Sequence, residues 1–130
     1  MHASRTLFIT TALLEAGTGL VLLSGPALAI GLLLGVVEAA PEALFVARLA
    51  GAALLAIGVA CWLARDDLGS PSGRGVLWAM LVYNIGACAV LAAAGSTLRM
   101  VGVALWPAAA LHAFLTAWCA LSLSRAGDNA

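Results

Sequence analysis

The sequence predicts an all-α protein, a bundle of four membrane-spanning helices. Of its 130 residues, 64% are hydrophobic and 9% are charged, and the mean hydropathy is +1.10. A soluble domain of this size could not hide so much apolar surface. A spanning helix needs about 20 apolar residues, so the length leaves room for about four spans with short connections. We therefore expect one integral membrane domain over 1–130, with the lipid bilayer as its main partner.

The charged residues are few and scattered. The net charge is zero, and all six basic residues are arginines. A nucleic-acid surface or a polybasic lipid-binding patch would cluster its positive charge, so the sequence favours neither. No nucleic-acid partner is expected.

The first predicted span, 6–24, resembles a secretory signal peptide because Pro26 and the tripeptide 27–29 (Ala-Leu-Ala) follow it. A secretory apolar segment is about 7 to 15 residues long, whereas this run is longer and carries Glu15 at its centre. We expect the segment to be retained as a transmembrane helix.

Pro26 should end or bend that first helix. The apolar segment 27–37, which contains Gly31 and Gly35 at GxxxG spacing, is about half as long as a span. Two alternatives remain open for it: a short helix at the membrane surface, or an extension of the first span.

The other predicted spans follow from apolar runs between polar breaks. Pro41 and Glu42 are typical of a helix start, and the linker 66–75 has the composition of a turn. Pro107 predicts a kink in the outer third of the last span. The predicted spans are 42–64, 76–94 and 100–123. The span 42–64 contains most of the strongly apolar stretch 47–67, around which the chain is organised.

The arginines that flank the spans predict the orientation. One side carries Arg5, Arg65, Arg74 and Arg125, and the other carries Arg99. The positive-inside rule then places both termini in the cytoplasm of a cytoplasmic membrane. The tryptophans agree with an aromatic belt: Trp62, Trp78 and Trp118 fall near the cytoplasmic interface and Trp106 near the opposite one.

Each predicted span carries a polar or ionisable residue in its interior. These residues are Glu15, Arg48, Tyr83 with Asn84, and His112. At a rise of about 1.5 Å per residue, Glu15, Asn84 and His112 lie at similar depths. Arg48 starts nearer the far side, but we expect its long side chain to reach the same layer. The sequence predicts one buried polar cluster.

We expect Glu15 and Arg48 to form an ion pair, because a charge at the bilayer centre costs about 2.5 to 3.5 kcal/mol. Tyr83, Asn84 and His112 would satisfy the remaining hydrogen bonds. Two hypotheses for the role of the cluster stay open. It either fixes helix register or lines a cavity for a small ligand or a proton.

The sequence gives less support to a catalytic site or a metal site than to a polar cluster. His112 has no second histidine-rich helix near it, and the sequence lacks an HExxH motif or a nucleophile spacing. Cys61, Cys88 and Cys119 each lie in an apolar run and are interpreted as small hydrophobic residues. We predict no metal and no catalytic residue, and the sequence names no cofactor.

Several short motifs occur along the chain: 15–19 (Glu-Ala-Gly-Thr-Gly) followed by Pro26, then 47–51 (Ala-Arg-Leu-Ala-Gly), Gly58 and 64–66 (Ala-Arg-Asp). In the order and spacing of these motifs, the chain resembles small bacterial four-helix membrane proteins of the broad DoxX-like group. The resemblance implies a bacterial cytoplasmic membrane location. Some members of that group are linked to quinone-dependent sulfur or redox chemistry.

Three function classes follow. The first is binding of a small apolar or quinone-like ligand as a redox-accessory protein. The second is a structural subunit that packs on a second copy or a membrane partner through small residues such as Gly31, Gly35, Gly86 and the alanines of the last span. The third, a small transporter or proton relay, would require an oligomer.

Overall fold

The computed structural model describes residues 2–127, and side chains over 4–125, as five helices joined by short connections. They are α1 (His2–Ser24), α2 (Pro26–Leu34), α3 (Pro41–Ala64), α4 (Pro71–Ser96) and α5 (Leu105–Gly127). Four segments are long and apolar enough to cross a membrane: Ser4–Ser24, Pro41–Ala64, Pro71–Ser96 and Leu105–Arg125. The predicted all-α architecture with four spanning helices is confirmed, and it indicates a multi-pass membrane protein.

The outer surface of the bundle is apolar on every spanning helix. Leu13 is 65% exposed on α1, Phe45 69% on α3, Val82 67% on α4 and Phe114 59% on α5. A soluble monomer rarely exposes contiguous apolar surface of this extent. These side chains therefore form the surface that meets lipid.

Helix α2 follows α1 after a break at Gly25 and Pro26. The Gly25 amide donates to the Val21 carbonyl at 2.8 Å, and the Ala29 amide donates to the Gly25 carbonyl at 3.2 Å. Proline has no amide hydrogen, so the regular hydrogen bonding is interrupted there. Gly35 ends α2 in the left-handed conformation, with φ of 74°. At nine residues, α2 is about 14 Å long and cannot span a bilayer by itself.

Two helix starts, those of α4 and α5, each differ by five residues from the predicted ones. α4 begins at Pro71, inside the segment predicted as a linker, because the Ser70 hydroxyl accepts a hydrogen bond from the Gly73 amide at 3.0 Å and caps the helix. α5 begins at Leu105 rather than at residue 100, because 97–104 folds onto α2, where the Ala104 amide donates to the Leu32 carbonyl at 2.9 Å.

Pro107 consequently lies in the first turn of α5. A proline is tolerated in the first turn because the amide hydrogen it lacks would have no partner within the helix. The prediction of a kink in the outer third of the span is therefore wrong.

The helices pack as two antiparallel pairs, α1 with α3 and α4 with α5. Glycine allows the backbones of α1 and α3 to meet. A methyl group on Gly19 would lie 2.7 Å from the Gly51 carbonyl oxygen, and one on Gly58 would lie 2.9 Å from the Ala16 amide nitrogen. These two contacts define the register of α1 against α3.

An apolar core cluster near one end of the bundle joins the two helix pairs. It consists of Leu7, Phe8, Ala12, Cys61, Leu77, Met80, Leu115 and Cys119.

An ion pair links α1 and α3 at the same end of the bundle. Arg5 Nε donates to Asp66 at 2.6 Å, and this hydrogen bond lowers the pKa of Asp66 below its ordinary value. Arg65 adds a second contact to Asp66 at 3.3 Å.

Candidate intramembrane polar site

Glu15 lies inside the bundle, one turn beyond the core residue Ala12. Its side chain is 4% exposed, and the Tyr83 hydroxyl donates to its Oε2 at 3.1 Å. This hydrogen bond joins α1 to α4 and therefore links one helix pair to the other. The two helix pairs are therefore joined by this hydrogen bond as well as by the apolar contacts of the core cluster.

Asn84 and His112 form a second hydrogen-bonded pair beside the first. Asn84 is fully buried, its Nδ2 donates to the Met80 carbonyl at 2.8 Å, and its Oδ1 lies 2.8 Å from Nδ1 of His112. With Asn84 Oδ1 as the acceptor, Nδ1 of the histidine carries the proton. In the neutral ring, Nε2 is then an acceptor, and no described residue donates to it.

The two pairs touch through their rings. The Tyr83 and His112 rings meet edge to face, with centroids 5.5 Å apart and planes at 86°. We call Glu15, Tyr83, Asn84 and His112 the polar cluster. The structure brings these four predicted residues together within the membrane-spanning part of the bundle.

Arg48 does not join the polar cluster, and the predicted Glu15–Arg48 pair is wrong. Gly58 is the α3 residue that packs beside Ala16, so it lies at the level of Glu15. Arg48 precedes Gly58 by ten residues on α3, which corresponds to a separation of about 15 Å along the helix axis. That separation exceeds the reach of an arginine side chain. Arg48 is instead exposed on the outer surface.

Thr11 is a buried polar residue that was not among the predicted members of the polar cluster. Its side chain is 1% exposed, and its hydroxyl has no hydrogen-bond partner among the described residues. Thr11 precedes Glu15 by four residues, so the two side chains share one face of α1. That spacing was visible in the sequence, but the absence of a partner emerges only from the packing. Thr116, by contrast, donates to the carbonyl of His112 on its own helix at 2.8 Å.

The cysteines lie apart from these hydrogen bonds. Cys61 and Cys119 are fully buried in the core cluster, Cys88 is half-buried, and all three are free thiols. Within the described residues, no group of three or more histidine, cysteine and acidic side chains could hold a metal ion. A surface groove lies elsewhere, where Arg74 and Trp78 line the start of α4 with Gly69, Pro71 and Gly75.

The observed pairing can be tested with two double-mutant cycles measured as free energy of unfolding. We expect Glu15→Leu and Tyr83→Phe to be coupled by about 1 kcal/mol, as for other hydrogen bonds between membrane helices, because leucine cannot accept the hydrogen bond from Tyr83. Glu15→Gln and Arg48→Met should be additive, since the two sites are about 15 Å apart. Strong coupling in the second cycle, or none in the first, would contradict the observed geometry.

No family model matches the sequence, and no match was found among curated proteins or solved structures. The fold and the site thus define a class, a multi-pass helical membrane protein with a hydrogen-bonded polar cluster between its two helix pairs. The DoxX-like relationship stays a prediction.

Proposed function

We propose that this protein resides in a bacterial cytoplasmic membrane, with both termini in the cytoplasm, and binds a small amphipathic, quinone-like ligand at the polar cluster. The orientation is supported by the arginine distribution, since Arg5, Arg65 and Arg74 lie at or near one end of the bundle. The DoxX-like resemblance supports the same location.

The observation that supports ligand binding is the environment of Glu15. Its carboxyl group is buried at mid-span and accepts a hydrogen bond from a neutral donor, the Tyr83 hydroxyl, and no described cation forms an ion pair with it. Helix register alone would not need a carboxyl group here, because a neutral amide could accept the same hydrogen bond. Ionisable groups inside the membrane are rare and mark functional sites by default.

The polar cluster and the neighbouring Thr11 have hydrogen-bonding capacity that no described residue uses. The Thr11 hydroxyl is unpaired among the described residues, and Nε2 of His112 is an unused acceptor. For the fully buried Thr11 hydroxyl, the missing partner costs about 1 to 3 kcal/mol. A ligand that supplied the missing partners would recover part of that free energy.

These unused groups define the chemistry of the ligand. The free ring nitrogen of His112 and the carboxyl group of Glu15 accept hydrogen bonds, while the Thr11 hydroxyl can donate or accept one. An apolar ring carrying hydroxyl or carbonyl groups complements this set, and a hydrocarbon tail on it would remain in the lipid. Quinols have this combination, because their two hydroxyl groups can donate hydrogen bonds to Nε2 of His112 and to the Glu15 carboxyl group.

The proposal is tested by binding of a short-tailed benzoquinol, kept in its reduced form, to the purified protein in lipid nanodiscs, followed by quenching of tryptophan fluorescence. We expect saturable binding that Glu15→Gln weakens about fivefold, because the amide group turns one of the two acceptor oxygens into a donor and a hydrogen bond contributes about 0.5 to 1.5 kcal/mol. Glu38→Gln is the matched control, since Glu38 is an exposed carboxylate outside the spans.

Absence of saturable quenching would contradict the proposal. Equal affinity in wild type and Glu15→Gln would also contradict it, and would favour a purely structural role for the polar cluster.

One observation favours the structural-subunit alternative. Among the glycines considered for an outer contact face, Gly35 is packed against Val101 and Gly102, whereas a methyl group on Gly86 would meet nothing within 4 Å. Ala89 and Ala93 continue the exposed surface of α4. Small residues of this kind allow close approach of another membrane helix.

A further inference from the structure

We propose that Arg48 binds the phosphate group of a membrane phospholipid at the end of the bundle opposite Asp66. The proposal concerns a residue outside the polar cluster and does not depend on the proposed quinone-like ligand. It accounts for an arginine that lies within a spanning helix and does not pair with Glu15.

Arg48 lies on a surface of α3 that faces outward. Its neighbours Phe45 and Leu49 are 69% and 63% exposed, and Arg48 itself is exposed. Asp66 forms ion pairs with Arg5 and Arg65, and no described carboxylate forms one with Arg48. A guanidinium group on a lipid-facing surface needs an anionic partner from outside the fold.

The depth of Arg48 corresponds to a membrane boundary. Eighteen residues separate it from Asp66, which marks the polar end of α3 together with Arg5. That separation is about 27 Å along a helix, and the hydrocarbon core of a bilayer is about 30 Å thick. When Asp66 lies at one boundary, Arg48 lies close to the other.

The direction of the side chain brings the charge to that boundary. Side chains on an α-helix lean towards its N-terminus, and α3 begins at Pro41, on the far side of Arg48 from Asp66. The aliphatic part of Arg48 can therefore lie along apolar surface while its guanidinium group extends into the headgroup layer. A planar guanidinium group can bind a phosphate with two parallel hydrogen bonds.

The chain's own carboxylates at this end are poor partners for Arg48. Glu42 is six residues earlier on α3, which is about one and two-thirds turns and places it on a different face. Glu38 is exposed in the connection before the helix. Phospholipid phosphates surround the protein at this depth in any bilayer, which makes them the favoured partner.

The experiment measures binding of phosphatidylglycerol to the detergent-solubilised protein by native mass spectrometry. We expect Arg48→Gln to weaken binding of the first lipid about fivefold, the effect of one arginine near an anionic surface. Arg48→Lys should retain most of the affinity because it keeps the charge. A diacylglycerol with the same acyl chains, which lacks phosphate, should bind wild type and Arg48→Gln equally.

Arg99→Gln is the control for net charge, because Arg99 is an exposed arginine at the same end in the connection between α4 and α5. Wild-type affinity in this variant supports the proposal. Unchanged lipid binding in Arg48→Gln, or an equal loss in Arg99→Gln, would overturn it. Conversion of a dimer to a monomer by Arg48→Gln at unchanged lipid affinity would also overturn it, because the partner would then be a carboxylate of a second copy.

Discussion

Replacing Gly19 with alanine is expected to destabilise the bundle by about 1 to 3 kcal/mol, the usual cost of overpacking a close contact. The added methyl group would lie 2.7 Å from the Gly51 carbonyl oxygen and 2.8 Å from the Leu55 amide nitrogen. Both are backbone atoms of α3, so no side chain can rotate to make room. The two helices would have to move apart and lose contact along their length.

Gly17→Ala is the matched control for this substitution. Gly17 lies two residues earlier on α1, and a methyl group there would meet nothing within 4 Å. Both variants gain the same helix propensity, about 1 kcal/mol in favour of alanine, so their difference isolates the packing. The measurement is the free energy of unfolding in mixed micelles. Equal stability of the two variants would show that α1 and α3 are not in the described register.

Replacing Asn84 with leucine is expected to destabilise the protein by about 1 to 3 kcal/mol. Leucine is similar in size but cannot accept a hydrogen bond from Nδ1 of His112, which now lies 2.8 Å from Asn84 Oδ1. The histidine would retain a polar N–H group in the bundle without its partner. An unsatisfied buried donor is more destabilising than the loss of both partners together.

The double variant Asn84→Leu with His112→Leu tests this explanation. It should be more stable than the sum of the two single effects implies, with a coupling of about 1 kcal/mol. Ser96→Ala serves as a control, because the Ser96 hydroxyl is exposed and donates only to the carbonyl of Ala92 on its own helix. An Asn84→Leu variant with the same free energy of unfolding as wild type would contradict the observed hydrogen bond.

Different contacts hold the helices together within a pair and between the pairs. Glycine contacts hold α1 against α3, while the apolar core cluster and the Glu15–Tyr83 hydrogen bond join the two helix pairs. The polar cluster therefore lies at the junction of the two halves. A ligand bound there would contact both pairs, and its binding would be sensitive to small changes in their separation.

Much of the architecture followed from the sequence because the bilayer imposes a simple length requirement. An apolar run of about 20 residues with polar ends can satisfy its backbone only as a helix. The same periodicity placed Glu15, Tyr83, Asn84 and His112 at one depth, since helical rise converts residue number directly into height. Helix ends were less predictable where Ser70 caps α4 and where 97–104 packs on α2.

The partners of each polar side chain were decided by tertiary structure. Charge and depth alone favoured a Glu15–Arg48 pair, but the contact of Gly58 with Ala16 sets α3 in a register that leaves Arg48 about 15 Å away. Tyr83 became the donor to Glu15, and Thr11 was left without a partner among the described residues. The sequence thus determined which residues lie in the membrane and near what depth. Only the close packing of small residues between helices determined which of them touch, because that packing sets the register and facing of neighbouring helices.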